Sequence, residues 1–495
     1  MRLAASENTP TPHLPGAPIR ASEVISALSF ALDLTEGQPV GHAVRSCVFG
    51  MYLAAEMALP VNESEDLYFA LLMKDAGCSS NASLMWRILG TDDLVGKRDA
   101  LRMDWTRTGW ESLQYALSHV KTGAPFLERV RGLFDVAVHQ KRNARTLNQI
   151  RCERGSAIAR RIGLSEGTAS AIHCLNEHWN GMGQPQGLSG EKIPLLSRIM
   201  CVAQTAEIFY TAYGKNGPAS ALEMVRKRSG SWFDPEVAKA FCSIVVRPTM
   251  WSEMENAAQR VVDLAPQADI LGTDESTLDN ICIAFADVID AKSPFTYRHS
   301  NGVADTAVTI ARALSMNESE VTLIRRAALL HDIGKLGVSN AILDKPAKLT
   351  AEEWVIVKKH PQYSLEILQR IPSFHQLSEI AGSHHEKLDG SGYFRNLTSG
   401  QLSLSARILT VADIYDALSA KRPYRDALPL EQVLSIIQKD APHALDADCV
   451  EALKSSATGQ DMAGDLARLS KVVAGQRPSI ENASKTLPGI ALKYP

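Results

Sequence analysis

His331-Asp332-Ile333-Gly334-Lys335 follows directly on the apolar run Ala327-Ala328-Leu329-Leu330. Neighbouring side chains on a helix diverge by about 100°, so His331 and Asp332 reach a common point only where a helix ends. Gly334 supplies such an end if it takes the left-handed conformation that glycine adopts at low cost. An imidazole beside a carboxylate is a donor pair suited to borderline metals such as iron, manganese, zinc or nickel. By itself such a pair is more often a surface hydrogen bond than a ligand pair, and its meaning depends on further donors downstream.

Working outward, helical periodicity dominates. Asp279–Ala291, Val303–Ser315 and Glu318–Leu330 repeat apolar residues every three or four positions, while alternating runs are short and lack hairpin signals. The expected fold class is all-α. The 495 residues suffice for two to four domains. Lys+Arg (52) nearly balances Asp+Glu (55), which gives no electrostatic ground for duplex nucleic acid or an anionic membrane as partner. No apolar run approaches the roughly 20 residues of a membrane span. Eight scattered cysteines without a C-x-x-C pair read as reduced thiols of a cytoplasmic protein. Residues 1–20, rich in Pro, Ala and Thr, lack the pattern of a secretory signal and read as a disordered leader, and 476–495 as a loosely packed tail.

A long duplication runs through the chain. His42 precedes Lys74-Asp75-Ala76-Gly77 by 32 positions, the interval from His299 to His331. Glu177-His178-Trp179-Asn180-Gly181-Met182-Gly183 echoes Glu386-Lys387-Leu388-Asp389-Gly390-Ser391-Gly392 at an offset of 209, and Arg198–Ala203 echoes Arg407–Ala412 at the same offset. The earlier offset is 257, which leaves a net insertion of 48 residues in the first copy between Asp75 and Arg151. The expected organisation is a first copy over 21–264 with its insertion at about 76–150, a linker at 265–276 and a second copy over 277–475.

The second copy carries His299, His331, Asp332, His360, His384, His385 and Asp413. Five imidazoles and two carboxylates exceed the needs of one tetrahedral ion and suit two adjacent ions with one carboxylate between them.

These residues, with Glu386, Asp389-Gly390-Ser391-Gly392-Tyr393 and their order, resemble the HD-GYP family of bacterial phosphodiesterases, a branch of the metal-dependent HD phosphohydrolases, over about Glu275 to Leu453. The resemblance implies two tandem HD-type helical domains, the second an HD-GYP domain. It implies hydrolysis of a cyclic dinucleotide to a linear one, cyclic di-GMP first and 3′,3′-cyclic GMP-AMP second. It implies one metal held by His299, His331, Asp332 and Asp413, and another by His360, His384, His385 and the bridging Asp332. It favours iron, with manganese as the alternative. Lys335 takes the place of the family's catalytic lysine, and Arg422 and Arg425 that of its phosphate-binding arginines, with Tyr393 beside the substrate. A general phosphate-ester hydrolase of the wider superfamily and a cyclic-dinucleotide-binding protein with a vestigial site are the competing readings.

Two departures bear on this. The family's Gly-Tyr-Pro is Gly392-Tyr393-Phe394 here, which counts against a diguanylate cyclase partner; pairing with a second copy of the chain stays open. Phe295 stands where some members carry a third-metal glutamate, so two ions are expected. In the first copy the ligand positions read Lys74, Arg151, Leu175, Asn176 and Gln204, with only His42 and Asp75 retained, Cys78 at the lysine position, and Tyr213 and Asn216 at the arginine positions. That half is expected to be metal-free and inactive, with a structural, dimerising or ligand-sensing role.

Overall fold

The computed structural model describes residues 21–104, 109–266, 275–296, 298–421 and 426–458. The leader 1–20, most of the linker, Arg422, Arg425 and the tail 476–495 lie outside the described residues. Among the described residues there is no strand, only isolated bridges, so the all-α expectation holds. All eight cysteines carry free thiols, and no described helix is long and apolar enough to cross a membrane.

Local sequence sets the helix that delivers the His-Asp pair. Asn317 accepts the Glu320 N–H at 3.0 Å while the Glu320 carboxylate accepts the Asn317 N–H, a reciprocal cap that starts Glu318–Leu330. The helix ends differently from the sequence expectation. His331 is still right-handed, Asp332 sits at φ −94°, and the chain tightens into the 3-10 turn Ile333–Gly337 without a left-handed residue. Gly334 is needed for another reason. A Cβ there would overlap the carbonyl oxygen of His360, so glycine lets the helix His360–Leu368 seat its first turn directly on the His-Asp corner.

The two copies repeat this plan element by element. Val61–Met73 and Glu318–Leu330 are both 13 residues long, and Glu166–His173 and His375–Gly382 are both eight. A Cβ on Gly77 would overlap the carbonyl of Arg151, the counterpart of the Gly334–His360 approach. Glu177 accepts backbone N–H groups of Gln186, Gly187 and Leu188, and Glu386 those of Phe394, Arg395 and Leu397. The bridges Asn180–Ser189 and Asp389–Thr398 close the two loops in the same register.

One buried apolar core runs continuously from Val24 to Leu453, so the copies pack as a single body. The leading helix of the first copy, Ala21–Thr35, packs on the 3-10 turn Ile333–Gly337 and on His360–Leu368 of the second. The leading helix of the second, Glu275–Asp290, packs on the long helix Phe126–Ile162 and on Cys78–Asn81 of the first. Each copy therefore buttresses the corner of the other, the one that carries Asp332 or the one that carries Asp75. The insertion forms the helices Ala82–Leu89, Asp93–Ala100 and Trp110–His119 and the opening turns of Phe126–Ile162, with a small core of its own around Met85, Leu89 and Val120.

Candidate metal centre

All seven second-copy ligand candidates meet in one buried cluster. His299 opens the helix His299–Ala313, His331 and Asp332 form the corner, and His360 opens its own helix. His384 and His385 follow the end of His375–Gly382, and Asp413 lies within Leu404–Ser419. Donor atoms fall into overlapping triads, His299–His331–Asp332, His331–His384–Asp413 and His360–His384–His385, each within 4.8 Å.

Asp332 lies between them. Its Oδ2 is 3.5 Å from His299 Nε2 and 3.4 Å from His331 Nε2, and its Oδ1 is 3.2 Å from His360 Nε2 and 3.7 Å from His384 Nε2. Asp413 Oδ1 stands 3.3 Å from His299 Nε2 and its Oδ2 3.7 Å from His385 Nδ1.

Three rings are aimed by one local device. His331, His360 and His384 each donate from Nδ1 to the carbonyl three residues earlier, of Ala328, Val357 and Ala381, at 2.6, 2.7 and 2.6 Å. That fixes the tautomer and turns each Nε2 lone pair inward. The Ser364 hydroxyl donates to the His331 carbonyl at 2.6 Å and accepts the Gly334 N–H at 3.0 Å, locking the corner to the His360 helix.

Electrostatics favours a cation. Burial pushes the Asp332 and Asp413 carboxyls up, but the surrounding imidazoles, and Lys335 beside Asp332, hold both well below the usual carboxylate range. Burial opposes charge on His299, yet Asp332, Asp413 and Asp416 draw a proton to it and raise its pKa well above the ordinary value. Burial lowers His360 and His384, and brings His385 to about 3, so these three are neutral donors at pH 7. Nε2 of His299, Nε2 of His331 and Oδ1 of Asp332 are buried without a hydrogen-bond partner in good geometry. Converging orphan lone pairs on hard-to-borderline donors are what a bound metal would satisfy, so the residues fit one.

Lys335 reaches Asp332 at 2.6 Å, and its side chain is partly exposed. Tyr393 lays its ring 4.3 Å from that of His385, and the Lys358 ammonium lies 5.2 Å from the Tyr393 centroid. Arg422 and Arg425 lie outside the described residues.

Sequence reading passed over four residues. Asp416 binds His299 Nδ1 at 2.6 Å, and Gly302 makes room for it, since a Cβ there would overlap the Asp416 carboxylate. A carboxylate one turn after Asp413 on a mostly apolar helix was the available signal. Buried Asp290 accepts the Ser300 N–H at 3.2 Å and its hydroxyl at 2.7 Å, holding the turn that presents His299. Asp33 does the same in the first copy, accepting the N–H groups of Gly41 and Ala43 at 2.6 and 2.9 Å beside His42. Burial raises both carboxyls to about 6.

The first-copy site keeps this scaffold and changes its content. Glu207 binds His42 Nδ1 as Asp416 binds His299. Lys74 pairs with Asp75, and Arg151 donates to Asp75 at 2.8 Å. Glu36, Asp75 and Cys78 also bring donor atoms within 4.8 Å of one another. Lys97 Nζ is 3.8 Å from Glu36 and Arg151 4.0 Å, so side-chain cations already answer that charge.

An interlocked helical body with a five-histidine, two-aspartate cluster at a His-Asp corner defines a class, and the chain belongs to the HD domain family, whose model matches residues 141–237 and 284–449. The HD-GYP resemblance read from the motifs stands. The chain is 42% identical over 438 residues, 88% of its length and 94% of the relative's, to 3′3′-cGAMP-specific phosphodiesterase 3 of Vibrio cholerae serotype O1. It is 33% identical over 226 residues to the cyclic di-GMP phosphodiesterase response regulator RpfG of Xanthomonas campestris pv. campestris, covering 44% of this chain and 58% of that protein. Among solved structures, a cyclic GMP-AMP specific phosphodiesterase of V. cholerae (V-cGAP3) aligns with a TM-score of 0.62 at 38% identity, over 90% of this chain and 100% of that one.

Proposed function

We propose that the chain is a metal-dependent phosphodiesterase that opens a cyclic dinucleotide to the linear form, with 3′,3′-cyclic GMP-AMP as its substrate. The observation that carries the activity is Asp332 between the two imidazole groups, within 3.7 Å of four ring nitrogens. His299, His331, Asp332 and Asp413 would hold one ion, and His360, His384, His385 and Asp332 the other, iron by the family resemblance and manganese as the alternative. Bound there, such a pair supplies Lewis acidity and a water acidified toward neutral pH.

The chain's own groups do the rest. Lys335 presents a positive charge beside Asp332 to offset charge developing on the phosphate. Tyr393, in contact with the His385 ring, would lie beside the substrate. Arg422 and Arg425 supply forks for the second phosphate. The catalytic half is 277–475 and the half 21–264 is its inactive copy.

The choice of 3′,3′-cyclic GMP-AMP ahead of cyclic di-GMP reverses the order suggested by the motifs. Its support is that the cGAMP-specific relative aligns across both copies, whereas the cyclic di-GMP relative RpfG aligns over less than half of this chain. Cyclic di-GMP is the second reading, favoured by that alignment. Anaerobically purified protein supplied with iron or manganese is expected to turn over 3′,3′-cyclic GMP-AMP with a kcat/KM at least tenfold above that for cyclic di-GMP. Metal-loaded protein inert toward both would overturn the enzyme assignment.

A further inference from the structure

The insertion of the first copy borders a partly open cavity of about 410 Å³, lined mainly by Ala82–Leu89, Asp93–Ala100, Trp110–His119 and the long helix Phe126–Ile162. Its walls are mostly apolar, with Met85, Leu89, Leu133 and Leu147 among them, interrupted by Gln140 and Asn143. Among the described large apolar side chains of the insertion only Met85, Leu89 and Val120 are buried, so the helices surround a space instead of packing closely on one another. The volume lies in the range of small-molecule pockets.

One end is polar, and its charges are already answered. Lys97 donates to the carbonyls of Thr35 and Cys78 at 3.1 and 2.6 Å and lies 3.8 Å from Glu36. Arg151 is bound to Asp75 at 2.8 Å. The side chain of Asn81 is nine-tenths buried, its Nδ2 donates to the Leu147 carbonyl at 3.3 Å, and its Oδ1 is buried without a partner. With its ion pairs already formed, the polar end offers no open charge to a charged ligand.

We infer that this cavity is a binding site for an uncharged, mostly apolar small molecule. The site also has a route to the metal centre. Lys97 and Ala100 line the cavity on the helix Asp93–Ala100, and Asp93 at the helix start accepts the Ser339 hydroxyl at 2.9 Å and the Asn340 N–H at 2.6 Å. Ser339 and Asn340 follow directly on the 3-10 turn that carries Lys335. Occupancy therefore reaches the catalytic corner through a fully buried carboxylate, a regulatory consequence that rests on the phosphodiesterase reading.

The test uses the full chain and N-phenyl-1-naphthylamine, an uncharged probe with one N–H that brightens in apolar surroundings. Its fluorescence is expected to saturate at one probe per chain, with 1-decanol displacing it and decanoate at neutral pH doing so at least tenfold less well. Ala144→Trp and, independently, Ala116→Trp fill the cavity and are expected to weaken binding at least tenfold with unchanged far-ultraviolet circular dichroism. Binding untouched by both substitutions in folded protein, or no saturable binding, overturns the site; decanoate competing as well as decanol overturns the uncharged ligand. Hydrogen exchange across residues 333–343 is expected to slow when the probe saturates, a readout independent of turnover, and an unchanged rate overturns the coupling.

Discussion

Asp416 accepts a 2.6 Å hydrogen bond from Nδ1 of His299, and Glu207 accepts the corresponding bond from His42 in the copy that keeps only His42 and Asp75 of the donor set. The orienting carboxylate is thus present in both copies, with the full donor set and without it. Its work is mechanical as much as electronic, because it pins the first ring of a helix against a neighbouring helix.

Replacing Asp416 with Asn keeps the size and removes the charge. We expect metal affinity to fall ~10–100-fold, with the melting temperature little changed. Titration of metal into apoprotein, followed by elemental analysis, reads the effect; full retention of affinity would mean that Asp416 does not tune the His299 ligand.

Asp332→Ala removes the carboxylate that lies between the imidazole groups. Turnover is expected to vanish and bound metal to drop to a minor fraction of wild type. Asp332 carries many interactions at once, so metal content and activity should fall together, and a variant that still hydrolyses the substrate would eliminate its bridging role.

Gly334→Ala and Gly77→Ala place the same methyl against the same kind of backbone carbonyl, that of His360 in one copy and Arg151 in the other. Each is expected to destabilise the fold by about 1–3 kcal/mol. Only Gly334→Ala should also cost metal, since only there does the displaced residue carry a ligand. Denaturant midpoints beside metal content separate the two; equal metal loss in both variants would contradict the division of labour between the copies.

His178 is stacked on Trp232 at 4.0 Å, and burial lowers its pKa from 6.5 to about 3. The folded state therefore binds this proton less readily than the unfolded one. The stabilisation is fully present above pH 6.5 and is lost as pH falls from there toward 3. Between pH 7 and pH 5 the loss from this residue is about 2 kcal/mol. His178→Phe keeps the stacking and is expected to flatten that part of the stability profile, measured by urea unfolding at the two pH values.

The chain by itself determined a good deal. Helical periodicity, the two offsets of 209 and 257, and the seven donor residues are properties of order along the sequence, and the structure gathers those seven within a few ångströms of one another. Residue types also determined that Lys74 and Arg151 bring positive charge where the second copy has imidazoles.

Tertiary packing decided the rest. Gly334 read as a helix terminator, whereas its small size matters because a distant helix crosses it, and no local pattern reports a neighbour's backbone. Asp416, Gly302 and Asp290 matter only through the His299 helix they hold, at sequence distances that propensity does not span. The cavity beneath the insertion likewise exists only as a space between four helices. Order along a chain specifies which groups are present, and the enclosing of a volume or the meeting of two backbones depends on how those helices cross.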